Sequence, residues 1–172
     1  ASDVYKRQLR EIAKRVGVTP AGLLHHFADK EELFAEVLRQ RDEKVRQAAG
    51  DPAEHTLLAQ ARRVVAHNRA SRGLTSLYAI VSAEATDSEH PSHADFAARY
   101  RDRATEAEAI LRLGQADGEV RDDIDPALAA RLISGVMDGI QLQWLLDDTV
   151  DMVALFDEFV RGYLLPPAEP RR

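Results

Sequence analysis

Cysteine is absent from this chain of 172 residues, tryptophan occurs once, and aromatic residues make up only 6%. Without cysteine there can be neither a disulfide scaffold nor a cysteine zinc site. Long apolar runs are also missing. The longest, residues 77–81 and 152–156, are five residues each, against the roughly 18 that a bilayer span requires. The sequence therefore predicts no transmembrane helix. Residues 1–8 (ASDVYKRQ) lack the apolar stretch of a secretory signal, and with no cysteine in use the expected compartment is the cytoplasm. A GxSxG nucleophile motif and a phosphate-cradling glycine loop are both absent. What the chain does have is 45% hydrophobic and 30% charged residues at a net charge of −6. That fits one domain, or one compact domain with a small appendage, large enough to bury a core.

An acidic balance argues against a polyanionic partner only if the charge is evenly spread, and here it is not. Residues 1–30 hold Lys6, Arg7, Arg10, Lys14, Arg15 and Lys30 against Asp3, Glu11 and Asp29, a local +3, which leaves −9 on the other 142 residues. The asymmetry suggests a polyanion-facing head on an acidic body, although solvated surface cations would give the same count.

Proline and glycine cut the chain into helix-length pieces whose apolar residues recur at three and four, never at two, so the fold class is all-α. Leu9, Ile12, Ala13 and Val16 mark a short helix that stops at Gly17. Thr19 and Pro20 are an N-cap and first-position proline for a second, with Leu23, Leu24 and Phe27. Asp29, with Glu32 three positions on, opens a third helix through Leu33, Phe34, Val37 and Leu38 that ends at Gly50. Further helices are expected over residues 53–70, 74–86, a long stretch after Pro91 that closes at Gly114 and Gly118, 127–146 behind the Asp125 cap, and 151–165 ahead of Pro166.

Two short helices joined by a glycine turn, the second opening with Thr-Pro, have the layout of a helix-turn-helix, whose second helix enters the major groove. The helix start at Thr19 offers free backbone N–H groups to a phosphate. Residues 9–38, LREIAKRVGVTPAGLLHHFADKEELFAEVL, closely resemble the DNA-binding region of the TetR family of bacterial transcriptional regulators. The resemblance is carried by Ile12-Ala13, Gly17-Val18, Thr19, His26-Phe27, Lys30 and Leu33. It implies that Thr19, Pro20, Ala21, Gly22, Leu24, His25, His26 and Lys30 lie at or near operator DNA. Leu24 stands where the family often has tyrosine and cannot make that phosphate hydrogen bond. The family's first helix and its Ser or Thr cap are not recognisable in residues 1–8, so the expectation is a chain lacking that helix and binding its operator weakly.

The resemblance extends less specifically over most of residues 9–165. It implies a DNA-binding part with its connecting helix over residues 1–47 and a ligand-binding and dimerisation domain over residues 48–172. Double-stranded operator DNA, a small-molecule ligand and a second copy of the chain are the implied partners, with no membrane and no cofactor. For the dimer face the residues themselves point to Ala127, Ala130, Ser134, Gly135 and Gly139, where a helix can approach closely, and to Trp144, Phe156 and Phe159 as anchors; intramolecular core is the competing reading. Polar residues interrupting apolar stripes nominate His67, Asn68, Tyr78, Glu84, Tyr100, Arg103, Gln141 and Gln143 for the pocket. The expected activity is a repressor released from DNA by its ligand.

Asp147, Asp148 and Asp151 spell DDxxD, a magnesium-diphosphate pattern of isoprenoid synthases, which keeps a helical enzyme or metal-binding protein as the alternative. Those enzymes need a second metal motif that is absent here, and helix capping accounts for the aspartates. Glu84, Asp87, His90 and His93 could supply metal ligands, but Pro91 interrupts helical spacing, so no metal is expected.

Overall fold

The computed structural model describes residues 30–50 and 57–167, and every regular element among them is helical. In order these are α1 (Lys30–Ala49), α2 (Leu57–Ala70), α3 (Arg72–Glu84), α4 (His93–Ala116), α5 (Pro126–Leu146) and α6 (Met152–Phe159), which runs on into a π-helical turn, Val160–Leu164. The all-α expectation holds. The chain divides into two compact units, residues 1–40 and residues 41–172, with the boundary inside α1.

In the first unit, the described part of α1 buries Leu33, Phe34 and Leu38. On its exposed side Glu36 accepts two hydrogen bonds from Arg39, both 2.7 Å, and one from Gln40. These are i,i+3 and i,i+4 pairs that support the helix locally. Gly50 closes α1 with a positive φ of 77°, a left-handed position where glycine carries no Cβ penalty.

The second unit is built around α5. Its start follows from the sequence: the Asp125 carboxylate accepts from the backbone N–H groups of Ala127 and Leu128 at 2.8 and 3.3 Å, and Pro126 occupies the first turn. Such a cap contributes about 1 kcal/mol. One face of α5 enters the core with Ala129, Ala130, Ile140 and Trp144, meeting Val65 of α2, Leu111 of α4, and Met152, Phe156, Val160 and Leu164 of the last helix and its turn. Full burial of each large aliphatic or aromatic side chain is worth roughly 1.5–3 kcal/mol, so this cluster dominates the unit's stability.

The connection from α4 to α5 is tight. A Cβ at Gly114 would stand 2.7 Å from Val120 Cγ2, so a larger residue there would force Val120 to shift where the loop folds back. The loop is tied down by Val120 N–H to Gly114 O at 3.0 Å and by Gln115 Nε2, which donates to the carbonyls of Arg121 and Ile124. At the other end, Asp151 caps α6 through Val153 and Ala154 N–H. Arg62 of α2 grips Asp157 of α6 with Nε to Oδ1 at 2.7 Å and Nη2 to Oδ2 at 2.6 Å.

The last helix differs from the uniform α-helix expected over residues 151–165. After Phe159 it widens, and Leu165 N–H donates to Val160 O, an i to i+5 bond of 3.0 Å. Leu165 itself is extended, with ψ 150°, because the following Pro166 disfavours helical backbone at the preceding residue.

Candidate functional site

The residues expected to meet DNA, Thr19, Pro20, Ala21, Gly22, Leu24, His25 and His26, lie outside the described residues; Lys30 is the first residue of α1. The site that can be built from side chains is inside the body.

Three of the nominated pocket residues, Tyr78, Tyr100 and Arg103, come together there. Arg103 of α4 donates to the Tyr78 hydroxyl of α3 at 2.9 Å and to Asp42 Oδ1 of α1 at 2.6 Å. Arg41 and Arg99 also pair with Asp42, so one carboxylate serves three guanidiniums from two helices. The arrangement is dictated by helical spacing: Arg99 and Arg103 are four residues apart on α4 and share a face with Phe96 and Tyr100. The Arg41 and Arg103 guanidiniums lie over the Tyr78 ring, 4.4 and 5.1 Å from its centroid. The Tyr78 ring in turn packs against Phe96, with centroids 5.4 Å apart.

This concentration of positive charge shows in the protonation equilibria. Burial, reinforced by the neighbouring Arg103, pulls Arg41 down to about 10. Arg99 is likewise lowered to about 10, by burial first and then by Arg103 and Arg41. Across the cluster, Tyr100 donates to Asp138 Oδ2 of α5 at 2.6 Å. Burial raises the Asp138 carboxyl above its ordinary range despite the opposing pull of Tyr100, Arg103 and Arg41. Burial and that hydrogen bond push the Tyr100 hydroxyl still further above its ordinary value. A cavity of about 190 Å³ opens beside this pair, lined by Tyr100, Ala104, Arg131, Ser134, Gly135 and Asp138.

The other nominees scatter. His67 is half-buried on α2, Asn68 and Gln141 are buried, and Glu84 and Gln143 are exposed. The backbone carbonyl of Asn68 accepts from Thr75 Oγ1 at 3.0 Å. Arg41, Asp42, Arg99 and Asp138 escaped the sequence reading. Only Arg99 shares a helical face with Phe96 and Tyr100; Arg41 and Asp42 of α1 and Asp138 of α5 reach the cluster from other helices, which spacing along one helix does not reveal.

The proposed dimer residues also divide. Ala127, Gly135 and Gly139 are exposed, and Ser134 and Phe159 are half-buried, but Ala130, Trp144 and Phe156 sit inside the chain's own core at 0, 5 and 2% exposure. Arg72 covers Trp144, with its guanidinium carbon 4.7 Å from the ring centroid. The large apolar side chains that do reach solvent are leucines: Leu128, Leu132, Leu142 and Leu146 of α5, Leu155 of α6 and Leu113 of α4. On α5 the four leucines, with Gly135 and Gly139 between them, recur at three and four and draw one apolar stripe along the helix.

Two of the three DDxxD aspartates do structural work. Asp147 accepts from Thr149 N–H and Oγ1 at 3.0 and 2.7 Å at the end of α5, and Asp151 caps α6. Among the described residues no group of His, Asp and Glu is arranged to hold a metal. Within Glu84, Asp87, His90 and His93, His93 Nδ1 lies 2.8 Å from Ala85 O, and His90 Nδ1 accepts from Ser92 N–H. No described helix is long and apolar enough to cross a membrane.

The architecture defines an all-α protein of two units, with a charged interior site in the larger one. Residues 5–37 match the family of bacterial regulatory proteins named tetR, and residues 53–165 match the C-terminal family described as BetI-type transcriptional repressor. The fold is similar to a crystal structure from Rhodococcus sp. assigned to the TetR-family transcriptional regulators, with a TM-score of 0.70 over 91% of this chain and 86% of that one, at 19% identity. No curated protein matches the sequence. The chain belongs to the TetR family and is a DNA-binding transcriptional regulator with a helix-turn-helix head and a helical C-terminal domain.

Proposed function

We propose that this regulator is a cytoplasmic homodimer that represses transcription from a two-fold operator and leaves it when a small molecule occupies the helical body. The observation that carries the reading is the leucine stripe of α5, with Leu128, Leu142 and Leu146 at 62, 53 and 82% exposure. Exposed leucines aligned along one helix cost solvation unless another apolar surface covers them. A second copy does so self-complementarily, through Leu128, Leu132, Gly135, Gly139, Leu142 and Leu146, flanked by Ala127, Ser134 and Phe159. Two-fold pairing would set two recognition helices about one DNA turn apart.

In this reading residues 1–47 form the DNA-binding part with its connecting helix, and residues 48–172 the sensor and dimer domain. Thr19, Pro20, Ala21, Gly22, Leu24, His25, His26 and Lys30 meet the operator, and the body around Tyr78, Tyr100 and Arg103 senses the ligand. Release requires that the ligand bind the DNA-incompetent state more tightly, since equal affinity for both states shifts nothing.

The test is fluorescence anisotropy with labelled fragments of the DNA upstream of its own coding region. Expected are saturable binding by an even number of chains and a steep loss of affinity as salt rises. Binding as a single chain, or an affinity indifferent to salt, overturns the proposal.

A further inference from the structure

Among the described residues, the buried side-chain nitrogens and oxygens with no hydrogen-bond partner are Arg63 Nε and Nη2, His67 Nε2 and Arg99 Nε. All are nitrogens of basic side chains. Folded interiors pair the large majority of such groups, because a buried orphan loses its hydration without compensation. What this interior lacks is acceptors.

Arg63 and His67 stand four apart on α2 and share a face. The two orphaned atoms of Arg63 form a single edge of the guanidinium, whose parallel N–H groups match the two oxygens of a carboxylate. The protein uses this same edge to hold carboxylates elsewhere: Arg62 on Asp157, Arg39 on Glu36, Arg112 on Glu108 and Arg121 on Asp123. At Arg63 the edge is buried and faces none.

We propose that the Arg63 edge, with His67 Nε2 beside it as a further donor, anchors the carboxylate of a small organic acid, and that such acids are the effector class of this regulator. The inference rests on reading the body as a sensor. An amine would be repelled by the guanidinium's own positive charge, and a neutral alcohol would leave that charge uncompensated.

The test uses the full chain with benzoate and octanoate as probes, and benzyl alcohol and octylamine as matched controls, read by thermal shift and titration calorimetry. Saturable stabilisation by the carboxylates alone is expected. Arg63→Leu should raise the ligand-free melting temperature and weaken carboxylate binding roughly tenfold or more. Arg63→Lys keeps the charge but loses the planar edge, and should weaken it similarly. No carboxylate response in the unaltered protein, or binding unchanged in both variants, overturns the anchor. Adding the probes to the DNA-binding assay separates the two readings. Acids that bind without lowering DNA affinity keep the anchor but remove it from effector release, whereas normal DNA binding with no acid bound removes the anchor and leaves the regulator.

Discussion

Asp42, in the last turns of α1, accepts a 2.6 Å hydrogen bond from Arg103 of α4, a residue 61 positions later in the chain. The same carboxylate pairs with Arg41 and Arg99. One acidic group thus holds three cations in place where α1, α3 and α4 meet.

Asp42→Asn preserves the shape of this junction but removes the negative charge that the three arginines share. Breaking a buried pair by deleting one partner costs about 3–5 kcal/mol, and with the Asp42 side chain 21% exposed the lower end of that range is expected. Equilibrium urea unfolding measures it. A loss below about 1 kcal/mol, the scale of a surface pair, would show that solvent rather than Asp42 compensates the arginines.

Asp157 and Asp138 should give opposite pH signatures. The Arg62 hydrogen bonds hold Asp157 below its ordinary value, so its contribution is present above the unfolded pKa of about 3.9 and is lost as pH falls through the lower folded value. Burial holds Asp138 above that value, so its contribution is complete below the unfolded pKa and is lost as pH rises through the folded one. Melting temperatures across an acid series should therefore flatten at the low-pH end in Asp157→Asn. In Asp138→Asn the decline that sets in as pH rises above the ordinary carboxylate value should shrink. Parallel curves for both variants and the parent would refute the assignment.

Gly114→Ala places a methyl group against Val120, whose Cγ2 lies 2.7 Å from where the new Cβ would stand. Overpacking of this kind costs about 1–3 kcal/mol. Val120→Ala alone opens a cavity, yet in the double variant each change relieves the other. The summed single losses should exceed the double loss by more than about 0.5 kcal/mol in a thermodynamic cycle; strict additivity would mean the loop relaxes away from α4.

Leu132→Glu and Trp144→Ala should fail in different ways. Leu132 is 47% exposed and Trp144 only 5%. The charge at position 132 should leave the helical circular dichroism intact and shift sedimentation from dimer to monomer. Removing the indole should instead cost about 3–5 kcal/mol by emptying core volume. A Leu132→Glu protein that still sediments as a dimer would place the self-association face elsewhere.

Much of the fold was legible because helix ends are local chemistry. Asp125-Pro126, Asp151, Gly50 and Gly118 each act through a side chain or a backbone angle within a turn of themselves, so their meaning survives without knowledge of the fold. Tyr78, Tyr100 and Arg103 were legible as polar breaks in apolar stripes. Arg41, Asp42, Arg99 and Asp138 were not, because a charged residue on a helix reads as solvated until a second helix is laid against it. Periodicity likewise marked Leu128, Leu132, Trp144 and Leu145 as one apolar helix, without saying which flank turns inward.

Read alone, the amino-acid order establishes the all-α class, the helix order and, through residues 9–38, the family of the head. Those are properties of spacing, capping and residue order. The tertiary structure decided that Trp144 and Phe156 are core, that the leucines of α5 are surface, and that three arginines share Asp42 while the Arg63 edge faces no acid. The reason is physical: a helical repeat fixes which residues share a face, but only packing against other helices fixes what that face meets.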